Sequence, residues 1–324
     1  MSRALVARAP TRLDFGGGWT DVPPYCDEEG GAVCNVAITR YATATVAIGA
    51  HGKAAPGSDD PLVRAALRRA GIAGATASVA SDFPVGSGLG GSSAAGVALA
   101  GALAALRGET LDPAALAELS RRTEVEELGV AGGFQDHYAA SFGGALLLTY
   151  EGCVGVELLS LSDATCATLA RRAVLVYTGV SRISASTITA VSQAYSARDR
   201  AVCAALARMK ALAGEMAASL RTGDLDTLGE QLGEHWTHQR TLHPSITTER
   251  IEAIGREAAR AGALGMKALG ASAGGCVVAL ARDGREEELA RALAPLGERL
   301  LFAVDRAGFE VIAAMDERRE DGGE

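Results

Sequence analysis

The most informative stretch of the chain is Pro84–Ala95, with the sequence PVGSGLGGSSAA, which joins a predicted strand to a predicted helix. Glycine lets the backbone adopt positive φ and approach a ligand closely. The helix that follows, predicted from about Ser92 to Arg107, presents unpaired N–H groups and the positive end of its dipole at the same point. An anion site suited to phosphate is therefore predicted, formed by Gly86, Ser87, Gly88, Leu89, Gly90, Gly91, Ser92 and Ser93. The alternative interpretation is a glycine turn with a serine cap.

Three stretches of the chain come close to known functional motifs, namely the dinucleotide-binding, Walker and hydrolase motifs, but the sequence context disfavours each one. Gly86–Gly91 fits GxGxxG, but at least two predicted strands precede it, whereas a dinucleotide-binding fold carries this motif in its first βαβ unit. A Walker loop needs Gly-Lys-Ser/Thr, and the chain's Gly52-Lys53 is followed by alanine. Gly270–Gly274 fits GxSxG, but every histidine precedes Ser272, and this order is not that of an α/β hydrolase.

Composition narrows the class of protein. The 324 residues are 48% hydrophobic and 22% charged, with a formal net charge of -8. This is the balance of a globular enzyme, and the acidic excess argues against nucleic acid or a membrane surface as partner. The six cysteines show no CxxC spacing, and the N-terminus shows no signal-peptide pattern. The uncharged run 83–106 is too short as a helix to span a membrane, so a cytoplasmic location is expected.

The predicted elements form two mixed halves, which indicates an α+β fold with domains at 1–170 and 171–324. The predicted strands cover residues 4–15, 31–49 (one or two strands), 75–82, 144–150, 155–160, 173–177, 264–269, 275–282, 299–305 and 308–314. The predicted helices cover residues 62–71, 92–107, 113–128, 135–141, 186–220, 224–240, 248–261 and 285–295.

Three segments together resemble the GHMP kinases, the family of galactokinase, mevalonate kinase and the bacterial heptose 7-phosphate kinases. They are Ala9–Asp21 (APTRLDFGGGWTD), the glycine–serine segment, and Lys267–Gly275 (KALGASAGG). The resemblance implies an N-terminal domain like domain 2 of ribosomal protein S5, a ferredoxin-like C-terminal domain, and ATP and Mg²⁺ as cofactors. The third segment departs from the family pattern, because Ser272 and Ala273 stand where glycine is usual.

The resemblance also implies roles for individual residues. Asp136 matches the catalytic base, and Arg12 matches an arginine directed at that base and at the transferred phosphoryl group. Glu124 and Ser92 match magnesium ligands, and Asp21 matches the aspartate that holds sugar hydroxyls. Such chemistry suits these residue types, since a carboxylate can accept the hydroxyl proton and a guanidinium can stabilise the developing charge. The further residues predicted to contact substrate are Gly17, Gly18, Thr20, Arg182 and Gly274.

Shorter phrases bear on the substrate. FGGGWTDVPPY, GGFQDHYAASFGG and Tyr177–Ser184 resemble heptose 7-phosphate kinases, whereas GGW, DxPP and Gly30–Ile38 also resemble the kinase half of fucokinases. Gly18 replaces a glutamate of galactokinase, which disfavours galactose. A substrate that already carries phosphate needs an arginine to bind it, and Arg182 and Arg240 are the candidates.

These resemblances predict an ATP-dependent kinase for the anomeric hydroxyl of D-glycero-D-manno-heptose 7-phosphate. An L-fucokinase-like or mevalonate-type kinase is the alternative enzyme, and a catalytically silent sugar- and ATP-binding regulator is the alternative from another class. The intact set of predicted catalytic residues argues against silence. The expected partners are ATP and a sugar or sugar phosphate, and a homo-oligomer is left open. His235 and His238 are interpreted as packing or capping residues, and His137 is predicted to face away from the site.

Overall fold

The computed structural model describes residues 3–48, 59–129, 132–180 and 185–316, which form two antiparallel sheets with helices packed around them. The first sheet has six strands, in the order β10-β1-β2-β4-β5 with β3 paired to β2, and the second has the order β7-β8-β6-β9. The strands of the first sheet are β1 (Arg3–Gly16), β2 (Gly31–Ile48), β3 (Ala75–Ser81), β4 (Ala145–Tyr150), β5 (Val154–Leu159) and β10 (Glu310–Asp316). Those of the second are β6 (Ala173–Tyr177), β7 (Ala263–Ala268), β8 (Cys276–Ala281) and β9 (Glu298–Arg299).

The helices fall into two groups by their order along the chain, those before β6 and those after it. The first group is α1 (Tyr25–Glu29), α2 (Pro61–Ala70), α3 (Gly91–Leu106), α4 (Pro113–Arg122), α5 (Gln135–Phe142) and α6 (Asp163–Arg172). The second group is α7 (Ala185–Ser196), α8 (Arg200–Thr222), α9 (Leu225–Gln239), α10 (Glu249–Arg260) and α11 (Glu286–Leu293). A π-helical turn extends α4 over Thr123–Glu127, and short 3₁₀ turns lie at Pro244–Ile246 and Ala294–Leu296.

This architecture confirms the α+β class, with several corrections in detail. The predicted helix 186–220 is two helices, because Arg198 adopts a positive φ and the Asp199 side chain caps α8. The predicted strand 299–305 is reduced to β9, followed by an isolated bridge at Val304. Sequence reasoning also missed the short helix α1 and the helix α6. Within the described residues, no helix combines the length and apolar character that a membrane crossing requires.

Helix α3 is the centre of the first half of the molecule. It is built almost entirely of alanine, glycine, leucine and valine, and nearly all of its residues are buried. Its small residues permit close packing: a Cβ at Gly101 would overlap the ring of Phe309. Burial on all sides fixes the helix firmly, so its N-terminus holds the glycine–serine segment in a defined place.

The last described strand, β10, lies in the predicted C-terminal domain by its position in the sequence, but it belongs to the first sheet. Strand β10 pairs with β1, from Arg3 opposite Asp316 to Arg8 opposite Glu310. The first sheet is thus completed by the C-terminal end of the described chain. The boundary itself stays a prediction.

A buried ion pair joins the two sheets at Asp14, within the first motif. Lys267, on β7, places its Nζ 2.9 Å from Asp14 Oδ2 and donates to the Asp14 carbonyl at 2.8 Å. Both side chains are almost completely inaccessible to solvent. Burial lowers the pKa of Lys267, and the neighbouring Asp14 opposes this effect. Each charge therefore depends on the other for its compensation.

Replacing this lysine should weaken the fold strongly. Lys267→Met leaves the Asp14 carboxylate buried without its partner, so the free energy of unfolding should fall by about 3–5 kcal/mol. Urea denaturation measures this change. Arg260→Met is a suitable control, because it removes an exposed ion pair with Glu257 and should have little effect. A loss below about 1 kcal/mol for Lys267→Met would contradict this role of the pair.

Candidate active site

A cavity of about 270 Å³ lies where the first motif, the glycine–serine segment and the third motif meet. We call it the central cavity. Its wall includes charged and polar groups from four separated parts of the chain. The wall residues that the sequence also predicts as site residues are Arg12, Gly18, Asp21, Gly88, Gly90, Gly91, Ser92, Ser93, Glu124 and Asp136.

The glycine–serine segment forms a turn that leads directly into α3. Gly86, Gly88 and Gly90 all have positive φ, which a residue with a side chain rarely adopts. The first residue of β8, directly after the third motif, contacts the turn: Cys276 N–H donates to the Ser87 carbonyl at 2.7 Å. A Cβ at Gly88 would press against the carbonyl of Leu269. The turn is therefore held against β8, with the start of α3 open to the cavity.

Arg12 connects this turn to the predicted base. Its Nη1 donates to the Gly88 carbonyl at 2.7 Å, and its backbone N–H donates to the Leu89 carbonyl at 3.1 Å. On the other side, Nε and Nη2 contact Asp136 Oδ1 at 2.8 and 2.7 Å. The Arg12 side chain is only 3% exposed, whereas that of Asp136 is 26% exposed and faces the cavity. A partly open carboxylate fixed by a buried guanidinium is suited to accept a proton from a bound hydroxyl.

Glu124 and Ser92 form another part of the wall of the same cavity. Ser92 Oγ donates to Glu124 Oε1 at 2.8 Å, and His137 Nε2 lies 2.9 Å from Glu124 Oε2. Burial alone would raise the pKa of Glu124, but the contacts with His137 and the serines lower it below its ordinary value. The π-helical turn that carries Glu124 widens the helix at this point, a feature often found at functional sites.

The donor set in this part of the wall fits a magnesium ion that is shared with phosphate. One ionised carboxylate and one hydroxyl are hard oxygen ligands, and Mg²⁺ fills its remaining positions with water and phosphate oxygens. His137 supports the carboxylate from behind, as outer partners commonly do at metal sites. Within the described residues no group of three or more His, Cys, Asp or Glu side chains could enclose a metal by itself.

Asp21 is the most strongly perturbed acid of the cavity. Burial raises its pKa to about 7, the nearby carboxylates Asp136 and Asp14 add to the shift, and the Gln135 N–H donated to Oδ2 at 3.1 Å opposes it. Asp21 lines the cavity beside the start of α5, and such perturbed groups in clefts are characteristic of functional sites.

The structure separates the predicted residues into those that line the central cavity and those that lie outside it. Thr20 is fully buried: its hydroxyl donates to the Gly17 carbonyl at 2.7 Å and accepts from Ala32 N–H at 3.2 Å, which are structural contacts. Arg240 pairs with Glu252 at 3.1 Å, and Arg182 lies outside the described residues. The other predicted residues that are absent from the cavity wall are Gly17, Gly86, Ser87, Leu89 and Gly274.

Three residues near the site form contacts that the sequence did not predict. His137 was predicted to face away, and the structure instead directs it at Glu124. His235 packs as expected, but it also accepts a hydrogen bond from Gly17 N–H at 3.0 Å, consistent with a pKa that burial lowers well below its ordinary value. Ser272 has a φ of 67°, and Gln239 Nε2 donates to its Oγ at 2.9 Å. This contact stabilises a serine in a conformation that favours glycine.

Comparison with known proteins identifies the class. Residues 61–144 match the family model for the GHMP kinases N terminal domain, and residues 216–297 match that for the GHMP kinases C terminal. The chain is 28% identical over 318 residues to the D-glycero-alpha-D-manno-heptose 7-phosphate kinase of Campylobacter jejuni, covering 90% of this chain and 93% of that protein. It is 32% identical over 254 residues to the galactokinase of Mycobacterium tuberculosis, covering 69% and 70%.

A solved structure supports the same fold. The crystal structure of a D-glycero-D-manno-heptose 1-phosphate kinase from Bacteroides thetaiotaomicron has a TM-score of 0.78 at 24% identity, covering 98% of this chain and 100% of that one. Together with the two family models and the relatives, the cavity defines an ATP-dependent phosphotransferase. The chain belongs to the GHMP kinases.

Asp21→Asn should change how stability depends on pH. Because the pKa of Asp21 rises from an ordinary 3.8 to about 7, the folded protein holds this proton more tightly than the unfolded chain does. The wild type therefore loses stability as the pH rises through this range, and the asparagine variant does not. Urea denaturation at about pH 5 and about pH 8 should show the variant gaining roughly 1–3 kcal/mol relative to the wild type between the two conditions.

The matched control for this comparison is Asp59→Asn, which changes an exposed carboxylate. Its stability relative to the wild type should be nearly the same at both pH values. If Asp21→Asn behaved in the same way, the carboxyl group would not have the raised pKa that its burial produces.

Proposed function

We propose that the protein is an ATP- and magnesium-dependent sugar kinase that phosphorylates the anomeric hydroxyl of D-glycero-D-manno-heptose 7-phosphate. The observation that carries the proposal is the double contact of Arg12 with the Asp136 carboxylate and with the Gly88 carbonyl of the glycine–serine turn. This contact brings a proton acceptor and a phosphate-binding turn to one cavity. The six free cysteines favour a reducing compartment, and we propose the cytoplasm.

The proposed reaction assigns one task to each group. Asp136 accepts the proton of the acceptor hydroxyl, while the oxygen forms a bond to the γ-phosphorus of ATP and the bond from that phosphorus to the bridging oxygen of ADP breaks. Arg12 stabilises the charge on the transferring group and keeps Asp136 in place. A magnesium ion held by Glu124 and Ser92 would supply charge neutralisation at the phosphates. Asp21 orients the sugar through its hydroxyls.

The choice of sugar rests on the wider resemblance and on local space. The Campylobacter jejuni relative named above is a heptose 7-phosphate kinase and spans nearly the same length. Galactose is disfavoured even though one relative is a galactokinase, because a Cβ at Gly18 would overlap the Asp14 carboxylate. The glutamate that galactokinase has at this position could not be added here without displacing the ion pair with Lys267.

Coupled measurement of ADP release tests the proposal. The substrate panel contains D-glycero-D-manno-heptose 7-phosphate, L-fucose and mevalonate, each with ATP and Mg²⁺. Turnover that is highest with the heptose 7-phosphate supports the proposal. A preference for fucose or mevalonate would instead identify the protein as an L-fucokinase-like or mevalonate-type kinase. ATP binding without ADP release on any acceptor would indicate a regulator.

Asp136→Asn should lower turnover at least about 100-fold, because the amide cannot accept the hydroxyl proton. Affinity for ATP, measured by calorimetry, should stay close to that of the wild type, since Asp136 faces the acceptor. Turnover like that of the wild type would remove Asp136 from the mechanism. A loss of ATP binding of similar size would instead give it a structural role in the turn.

Glu124→Ala should raise the Mg²⁺ concentration needed for half-maximal activity by about tenfold or more, because it removes the carboxylate ligand. Titration of the nucleotide complex with Mn²⁺, followed by electron paramagnetic resonance, should show the same weakening. Glu126→Ala is the matched control, because Glu126 pairs with Arg69 on the surface. An unchanged metal titration for Glu124→Ala would refute the assignment.

A further inference from the structure

A second cavity, of about 390 Å³, lies beside the central cavity and shares part of its wall. We call it the side cavity. The shared residues are Asp21, Gly132 and Gly133. The two spaces therefore meet at the carboxylate proposed to hold sugar hydroxyls. A sugar placed with its acceptor hydroxyl at Asp136 would have its far end directed towards this boundary.

Two glycines shape the boundary between the cavities, one in close contact with Asp21 and the other beside open space. A Cβ at Gly133 would overlap the Asp21 carboxylate, while a Cβ at Gly132 would meet open space. At this point the walls of both cavities are formed by backbone and by the Asp21 side chain alone. The open space beside Gly132 leaves room for a substrate longer than a six-carbon ring to extend from the central cavity towards the side cavity.

Two consecutive arginines at the end of α4 line the side cavity. Arg121 is held by Glu118, with Nε and Nη2 within 3.1–3.3 Å of its carboxylate. The same carboxylate accepts a hydrogen bond from the Tyr138 hydroxyl at 3.1 Å. Arg122 is exposed, and within the described ranges it forms no ion pair with a carboxylate. A free guanidinium next to a neutralised arginine–glutamate pair leaves local positive charge.

The wall of the side cavity carries at least as many carboxylates as arginines, so the charge that favours phosphate is local to the unpaired Arg122 guanidinium. Of its wall residues, Asp27 is the one further carboxylate besides Glu118 and Asp21. Asp21 has its pKa raised to about 7 and carries less than its full charge near neutrality. Arginine binds phosphate with two parallel hydrogen bonds, so a dianionic group entering this space meets a suitable ligand in Arg122.

We propose that the side cavity is a phosphate subsite, in which Arg122, assisted by Arg121, binds a phosphate at the end of the sugar opposite the acceptor hydroxyl. This inference rests on the proposed function, since it takes the acceptor to be a sugar bound between Asp136 and Asp21. Arg122 thereby takes the place of Arg240 as the candidate phosphate ligand. Arg240 pairs with Glu252 and lines neither cavity.

The direct test compares one sugar with and without its phosphate. Calorimetry and coupled ADP release are measured for D-glycero-D-manno-heptose 7-phosphate and for the unphosphorylated heptose. Arg122→Gln should weaken binding of the phosphorylated sugar at least about tenfold, mainly through KM, and change binding of the unphosphorylated sugar less than about twofold. Arg121→Gln should show the same selectivity with a smaller effect, and Arg240→Gln should leave both sugars unchanged.

Each other outcome has a definite meaning. Equal losses for both sugars with Arg122→Gln would overturn the subsite, and so would selective loss with Arg240→Gln or Arg182→Gln in its place. A wild type that phosphorylates only unphosphorylated sugars would refute the subsite but leave the kinase proposal intact. If no sugar were turned over, the kinase proposal would fail, and the calorimetric comparison of the two sugars would still decide whether Arg122 binds phosphate.

Discussion

The placement of the Arg12 guanidinium is the constraint on which the rest of the site depends. It is buried, it donates to the Gly88 carbonyl, and it holds Asp136 through two of its nitrogens. A buried cation needs such compensation, because an unpaired charge in the interior is costly. The same contacts that stabilise the charge therefore fix the distance between the glycine–serine turn and the carboxylate. Stability and chemistry share one set of contacts.

The second half of the molecule supports this arrangement from below. Lys267 holds Asp14, two residues beyond Arg12, and His235 accepts a hydrogen bond from Gly17 in the same motif. The residue after the third motif, Cys276, also donates its backbone N–H to the Ser87 carbonyl of the turn. The first motif is thus held in place by side chains from β7 and α9 of the second half of the molecule. This support explains why residues distant in sequence must be present together for the site to form.

Local features of the site could be predicted from sequence, whereas its long-range support could not. The turn before α3 follows from glycine chemistry and helix termini within one short segment. The pairing of Arg12 with Asp136 joins residues 124 positions apart, and only the family resemblance suggested that they meet. The role of His137 was missed because helical direction alone does not show that the π-helical turn brings Glu124 to that face. The division at Asp199 was missed because apolar periodicity continues through a capped break.

The most direct test of the central claim is a crystal structure with a non-hydrolysable ATP analogue, Mg²⁺ and the sugar. We predict that the β- and γ-phosphates lie on the turn before Ser92, and that the acceptor oxygen lies within about 3–3.5 Å of both Asp136 and the γ-phosphorus. The metal should contact Glu124 and Ser92. A nucleotide bound away from this turn, or an acceptor hydroxyl out of reach of Asp136, would contradict the account.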